Sequence, residues 1–551
     1  MRKVQIFINK TSYTFPSGIK IGQLLRKTAE PDSLPFLGAV LYNRLVDPDY
    51  AVTHDCAIKP VTYQDYMGVA IYRRSATLIL IQAVHDLFPG KRLVIGQSIA
   101  DGYYFDLYLD SPLTPENVRA IDQRMRAIVE EDRPFVKTYL PYVEAKTYFE
   151  GQNLLDKTKL LDYLHSPEIP VVSCGDFFEL YPGALAPSTG QIRIFALEPY
   201  QEGLVLRFPA WIKGWKLAPM RKEFKLFNVY RETRAWNKIL SVENVGQLNE
   251  LCVSGEIREL IIVAEALHEK KIAQIADEIT KRGDGVKLVL IAGPSCSGKT
   301  TFTKRLQIEL KVNGFHPVAL SMDNYFQDWE CTPRDESGDY DFEAMEAMDL
   351  RLLNEHLEKM LQGRSVETPI FDFKKGQRKE ISLPIQLNPG RILIVEGIHA
   401  LNDRVSSAVP PEKKFKIYVS ALTQLCVDDH NRILTSDSRL LRRIVRDRTH
   451  RGWNVADTIR RWPSVRRGEN RNIFPFQEDA DIMFNSALVY EQAVLKNYAE
   501  LALLEVTPDK AEYMEADRLL HFLSFFAPIS ERDVPSTSIL REFIGGSFFE
   551  Y

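Results

Sequence analysis

Cysteine is scarce. There are six in 551 residues (Cys56, Cys174, Cys252, Cys296, Cys331 and Cys426), and no two form a C-x-x-C pair. The spacing therefore offers neither a zinc knuckle nor a disulfide framework, and a reduced, cytoplasmic compartment is the simplest expectation. Long apolar runs are also missing. Stretches such as "ATLILIQAV" (76–84) fall well short of the ~20 residues that span a bilayer, so no membrane partner is expected. The first thirty residues alternate apolar and polar, which suits a strand rather than a signal peptide. Neither sign of charge dominates: the net charge of −4 argues against a general polyanion binder and leaves a local basic surface open. There is no internal repeat and no low-complexity tract.

With 45% hydrophobic and 26% charged residues, the composition is that of a globular protein. The length suggests three or four domains at roughly 150 residues each. Residues 3–9 read as a half-buried strand. "TSYTFPSG" follows as a turn and second strand, "IKIGQLLRKTA" as a short helix and "FLGAVLYNRLVD" as a further strand, which together make a compact α+β module over 1–65. From 66 to about 225 the reading is a second α+β domain. It has a helix at 75–88, a hairpin at 92–110 turning at Asp101-Gly102, and a helix at 114–132 capped by Thr114 with Pro115 at its first position. Strand-rich sequence then continues to about 225. Residues 226–284 read as a helical connector with its own small core. In 285–505, continuous apolar strands alternate with helices, as expected for an α/β domain with a doubly wound parallel sheet. Residues 506–551 are apolar enough to form a docked tail.

The strand "VKLVLIAG" runs into G-x-x-x-x-G-K-T, met by Gly293, Gly298, Lys299 and Thr300. Such a loop turns successive N–H groups onto phosphate, with the lysine on the β and γ oxygens and the hydroxyl on Mg²⁺. Ser295, Cys296, Ser297 and Thr301 complete the expected ATP-binding stretch. The helix that follows adds its N-terminal dipole. Two acids downstream separate a kinase from other nucleotide-binding proteins. Asp323 follows the next strand, at the sheet edge where ligands bind, and can accept or orient a proton from an attacking hydroxyl. Glu396 ends the strand "RILIVE", the position that holds Mg²⁺. Residues 438–471 hold eleven arginines against three acids. A solvated face, a nucleic-acid patch and a lid over phosphate are the competing readings. Arg439, Arg442, Arg443 and Arg446 share one helix face, and the lid fits the rest of the domain best.

"GPSCSGKTTF", "LSMDNYF", "YDFEAMEAMDL", "TPIFDFKKGQR", "ILIVEGIHAL", "DSRLLRRIVRDRTHRG" and "DADIMFNSAL" occur in this order over about 285–490. In them the chain resembles the uridine kinase/phosphoribulokinase family of P-loop kinases. The resemblance implies an enzyme that uses ATP and Mg²⁺ to phosphorylate the 5′-hydroxyl of a uridine- or cytidine-like nucleoside. Asp323, Lys299, Arg442 and Arg446 would be catalytic, Arg443 would join the ATP site, and Thr300, Glu396 and Asp323 would hold the metal. The acceptor would meet Asp323, Tyr325, Tyr340, Glu343, Phe371, Arg378 and Arg439. Two departures fall at the base pocket: the family's tyrosine is Phe371, and its histidine falls on Gly376. A purine nucleoside or a non-nucleoside alcohol therefore stays open.

"VQIFINKTSYTFPSGIKIGQLL" and "LGAVLYNRLVDPDYAV" resemble a TGS domain. "YRRSATLILIQAVHDLFPGKRLVIGQSIADGYYFDLYLDSPLTPENVRAIDQRM" and "GDFFELYPGALAPSTG" resemble the editing domain of threonyl-tRNA synthetases. That family's histidine pair falls on Arg74 and Leu78, and its cysteine and second histidine fall on Tyr181 and Leu185. With no ligand or acid/base group left at these positions, an inactive editing-like domain is expected. His85, His165 and Cys174 read as packing or surface residues. RNA binding by these front domains, a homo-oligomer and a nucleotide-sensing regulatory role remain open.

Overall fold

The computed structural model describes residues 2–550 apart from 9, 30–33, 210–214, 222, 337, 374 and 389. Parts of the first strand and of the stretch running to about 225 thus lie outside the described residues. In the first module, Lys3–Ile8 buries alternate residues Val4, Ile6 and Ile8. It is the second strand of a five-stranded sheet in which it pairs antiparallel with Thr11–Pro16 and parallel with Cys56–Thr62. The helix Ile21–Thr28 adds Ile21, Leu24 and Leu25 to the same core.

The second region departs from its expected layout in three ways. Its first helix spans Tyr66–Leu87 and buries every residue from Ser75 to Val84, so it lacks the apolar stripe that would mark its true start. The hairpin turns one residue earlier than expected, with positive φ at Ala100 and Asp101. The later stretch is not purely strand, because the helices Tyr142–Gly151 and Leu155–Leu161 lie within it. The helix at 114–132 forms over Pro115–Glu130, with the Thr114 capping box in place.

The helices Phe224–Leu240, Val245–Ser254 and Ile257–Lys281 form no core of their own. Leu248, Ile261, Ile272 and Ile279 share one core with the strands and helices of the following domain. That domain carries a five-stranded sheet in the order His316–Ser321, Arg391–Glu396, Leu288–Ala292, Lys414–Ser420, Ile482–Asn485, with every pair parallel. Leu288–Ala292 is buried along its whole length, as a central strand covered on both faces should be.

The loop at 424–432 clamps the front regions to this sheet. Asp429 accepts from the Ile95 N–H at 2.8 Å through its carbonyl, and its side chain pairs with Arg92 at 2.5 Å. Lys157, fully buried, lies 2.9 Å from Asp428 and 2.7 Å from Glu179. Burial opposes the charge on Lys157, and the carboxylates of Asp428, Glu179 and Asp156 outweigh it and hold the ammonium above its ordinary range. In the C-terminal segment, Val534, Ile539, Leu540 and Phe543 lie in the main core. Among the described residues no helix is long and apolar enough to cross a membrane.

Candidate active site

The phosphate-binding loop sits between the strand Leu288–Ala292 and the helix Lys299–Val312. Its glycines have particular reasons. A Cβ on Gly293 would run into the Val419 carbonyl, and Gly298 holds φ +81 as it caps the helix. Cys296 also takes a positive φ of 58 and is 4% exposed, too enclosed for ready oxidation. Lys299 Nζ donates to the carbonyls of Gly293 at 2.9 Å and Pro294 at 3.2 Å.

Glu396 ends its strand in register with Ile291 on one side and Ser321 on the other. Its Oε1 accepts from Thr300 Oγ1 and from Ser321 Oγ, each at 3.4 Å. Burial pushes the Glu396 carboxyl up to about 7; Lys299 opposes this, while Asp323 and Glu542 add to it. Asp323 occupies the 3₁₀ turn Met322–Tyr325 directly after its strand. Thr300, Glu396, Asp323 and Lys299 are thus brought together at the carboxyl end of the sheet. No cluster of three or more His, Cys, Asp or Glu among the described residues is arranged to hold a metal ion. Mg²⁺ is commonly held by one or two carboxylates plus the substrate's phosphates and water. Hard oxygens from Thr300, Glu396 and Asp323 fit that ion.

The arginine helix Thr435–Arg446 corrects the lid expectation. Arg439 is 1% exposed; it pairs with Glu469 and donates to the Ser295 carbonyl at 3.0 Å. Arg442, fully buried, pairs with Glu491 and donates to the Ser486 carbonyl at 2.9 Å and the Cys296 carbonyl at 3.4 Å. These two side chains hold the phosphate loop in shape from beneath. The Arg439 donors are taken up by Glu469 and the Ser295 carbonyl, and the Arg442 Nη groups by Glu491, Ser486 and the Cys296 carbonyl, while Arg442 Nε has no partner; both contacts support the loop.

Arg443 and Arg446 are placed differently. Arg443 reaches Ser295 Oγ at 3.4 Å, and Arg446 lies 2.7 Å from Asp447. Arg443, Arg446 and Arg451 all converge on Asp447. Burial works against ionisation of Asp447, but the three guanidiniums outweigh it and hold the carboxyl below its ordinary value. Three cations on one anion leave a surplus of positive charge beside the phosphate loop. Arg451 was not singled out from the sequence. It belongs to the π-helical turn Asp447–Arg451, which an α-helical spacing argument misses.

The acceptor side differs most from expectation. Tyr325 is fully buried, and its hydroxyl meets His356 Nδ1 at 3.0 Å; the tight turn that aims Asp323 outward sends Tyr325 into the core. Arg378 donates to the Phe326 carbonyl at 3.1 Å and the Tyr325 carbonyl at 3.3 Å, which pins the loop. Phe371 is buried against Phe326 and Phe373, with ring centroids 5.8 and 5.0 Å away. The φ of Gly376 is +70, and a Cβ there would strike the Trp329 ring. Trp329 in turn stands 6.2 Å from Tyr340 and 5.9 Å from Phe342. An aromatic cluster therefore fills the place where polar base readout was in question, with Tyr340 on its edge.

Glu343 packs against Gly468 of the helix Val455–Asn472. Burial pushes its carboxyl up from 4.5 to about 7, with Arg443 opposing and Glu469 and Asp341 adding. A carboxyl whose folded value is raised stabilises the fold at low pH and costs stability as it ionises. Glu343→Gln should therefore melt above the wild type at pH 8, and the gap should close as pH falls from about 7 to 4.5. A gap that stays constant over this range in thermal melts would contradict the assignment.

The front-half cleft holds the four expected substitutions. Leu78 and Leu185 are buried, Arg74 Nη1 donates to the Pro182 carbonyl at 3.1 Å, and the Tyr181 hydroxyl donates to Asp47 of the first module. Lys137 Nζ lies 3.9 Å over the Tyr181 ring. Cys174 is fully buried, and burial pushes its thiol up to about 12, which makes it inert. His85 lies tilted against Phe177, with ring centroids 4.7 Å apart, and His165 is exposed.

Residues 288–491 match the model of the Phosphoribulokinase / Uridine kinase family. The match covers the phosphate loop, both acids and the arginine helix, and this stretch is built as a P-loop kinase domain. The N-terminal region is similar to threonine–tRNA ligases. That of Desulforamulus reducens is 37% identical over 164 residues, 29% of this chain and 26% of the ligase. That of Symbiobacterium thermophilum is 34% identical over 186 residues, 33% of this chain and 28% of the ligase. The chain thus spans only about a quarter of the length of these relatives. A solved structure described as a "Possible Uridine Kinase" from Bacillus stearothermophilus aligns with 39% of this chain and 98% of its own, at 16% identity and a TM-score of 0.28.

Proposed function

We propose that the protein is an ATP-dependent kinase that transfers the γ-phosphate to an alcohol hydroxyl, with a nucleoside 5′-hydroxyl as the first candidate. The observation that carries this reading is Glu396, held between two strands with the Thr300 hydroxyl 3.4 Å away and Asp323 beside it. Catalysis in such a site is mostly positioning and charge neutralisation. Mg²⁺, when bound, supplies neutralisation of charge on the transferring phosphate, and Thr300, Glu396 and Asp323 would hold it. Lys299, Arg443, Arg446 and Arg451 keep positive charge around the loop. Asp323 orients the attacking hydroxyl and accepts its proton. Glu343, raised to about 7, would face the acceptor's own hydroxyls.

A second reading within the same reaction class is a non-nucleoside alcohol. The packing of Trp329 over Gly376 and the burial of Phe371 favour it, because Gly376 and Phe371 have no side-chain hydrogen bond to offer a base. A panel of purine and pyrimidine nucleosides, sugar phosphates and pantothenate-like alcohols with MgATP separates the two. Turnover of several nucleosides with little preference among bases is the expected result. Strong selectivity for uridine over all other nucleosides would contradict an acceptor wall built from stacking aromatics.

The two front domains carry the TGS-like and editing-like resemblance and are proposed to lack deacylation chemistry. Incubation with seryl-tRNA charged on threonine tRNA is expected to release no serine above background.

A further inference from the structure

The tail does more than dock. Ile539 Cγ2 lies 2.5 Å from the point a Cβ on Gly298 would take, so the segment runs directly against the phosphate loop. The next turn, Arg541–Ile544, brings Glu542 to the first turn of the helix that follows the loop. Glu542 Oε2 accepts from the Thr301 N–H at 3.1 Å and from Thr301 Oγ1 at 2.7 Å. The same carboxylate contributes to the upward push on Glu396 and is felt by Arg446. An anionic oxygen from residue 542 thus sits on a backbone N–H of the phosphate-binding helix, within electrostatic reach of the acid proposed for Mg²⁺ and of an arginine beside the loop.

The anchoring of this segment is firm. Ser538, Ile539, Leu540 and Phe543 are fully buried. The Arg442 guanidinium stands 5.0 Å from the Phe543 ring. Arg541 Nη2 donates to the Glu531 and Val534 carbonyls at 2.8 and 2.7 Å. The backbone is therefore held, and the element with freedom to change is the Glu542 side chain.

We propose that Glu542 is an internal phosphate mimic: its carboxylate occupies an anion position of the nucleotide site and must swing off Thr301 before a nucleoside di- or triphosphate can bind. The proposal rests on the kinase reading above and adds a regulation of the same site. Helix N-termini bind carboxylate and phosphate by the same means, exposed N–H groups and the helix dipole, so the two anions exclude each other. Whatever draws Glu542 away opens the site.

The test uses the full chain as wild type, Glu542→Gln and Glu542→Ala, titrated with a fluorescent ADP analogue in Mg²⁺ and competed with ATP, ADP and adenosine. Lys299→Ala serves as the control for binding at the loop. Both Glu542 variants are expected to bind ADP and ATP at least tenfold more tightly than wild type, with adenosine affinity unmoved. Glu542→Gln keeps the shape of the side chain, so it separates loss of charge from loss of packing. Thermal melts without nucleotide report folding. Unchanged or weaker ADP binding by both folded variants would overturn the proposal and leave the kinase reading standing. A gain shared equally by adenosine would also overturn it, since that gain would not arise at a phosphate position. Absence of nucleotide binding in every form would remove the kinase reading and this proposal with it.

Discussion

Asp323→Asn is expected to lower kcat by about 10²–10⁴-fold, the usual contribution of a positioned proton acceptor, while ATP binding stays in place. The expectation follows from position. Asp323 opens the turn after the strand His316–Ser321, and its charge is felt by Glu396. The phosphate loop is a separate segment, shaped by Gly293, Gly298, Arg439 and Arg442. An isosteric amide keeps one oxygen for the metal beside Thr300 and Glu396, so it should leave MgATP binding largely in place and remove the proton acceptor. The decisive comparison is kcat against the Kd for MgATP. A variant that keeps normal turnover would move the base elsewhere; one that also loses ATP would make Asp323 mainly a metal ligand.

Glu491→Ala is expected to destabilise the fold by about 3–5 kcal/mol, the range for leaving one partner of a buried ion pair alone. Glu491 and Arg442 are both fully buried, and Glu491 also accepts from the Leu488 N–H at 3.0 Å. Replacing both members by apolar residues of similar size often costs little. The double variant Arg442→Met/Glu491→Leu should accordingly regain most of the lost stability, with ATP affinity lowered by the lost contact to the Cys296 carbonyl and turnover at saturating ATP close to wild type. This outcome separates the structural assignment of Arg442 from the catalytic one suggested by its place in the sequence. A stable double variant without turnover would return Arg442 to the catalytic set.

The phosphate end was legible because its information is local. Glycines that admit the turn, the lysine and the threonine stand within eight residues, and apolar strands announce the sheet on either side. The arginine run was legible as charge, but its pairings were not, because they depend on partners far along the chain. Arg439 meets Glu469 and Arg442 meets Glu491, 30 and 49 residues on; no spacing rule indicates which arginine is neutralised. The acceptor wall has the same character: Gly376 signalled a lost histidine, but only the fold shows Trp329 packed against it. Glu542 lies 241 residues from Thr301 in a stretch with no motif. The front half was readable as a fold, and the proposed loss of editing chemistry rests on the simple substitutions Arg74, Leu78, Tyr181 and Leu185. The helices at 142–161 were hidden among strand-like residues.

The most direct test of the account is to incubate the full chain with MgATP carrying a labelled γ-phosphate and a mixture of nucleosides, and to follow the label. The account predicts that it appears as a phosphomonoester on an acceptor hydroxyl, and that the transfer is lost in Asp323→Asn. Label found only as inorganic phosphate, or retained in ATP across the whole acceptor panel, would contradict it.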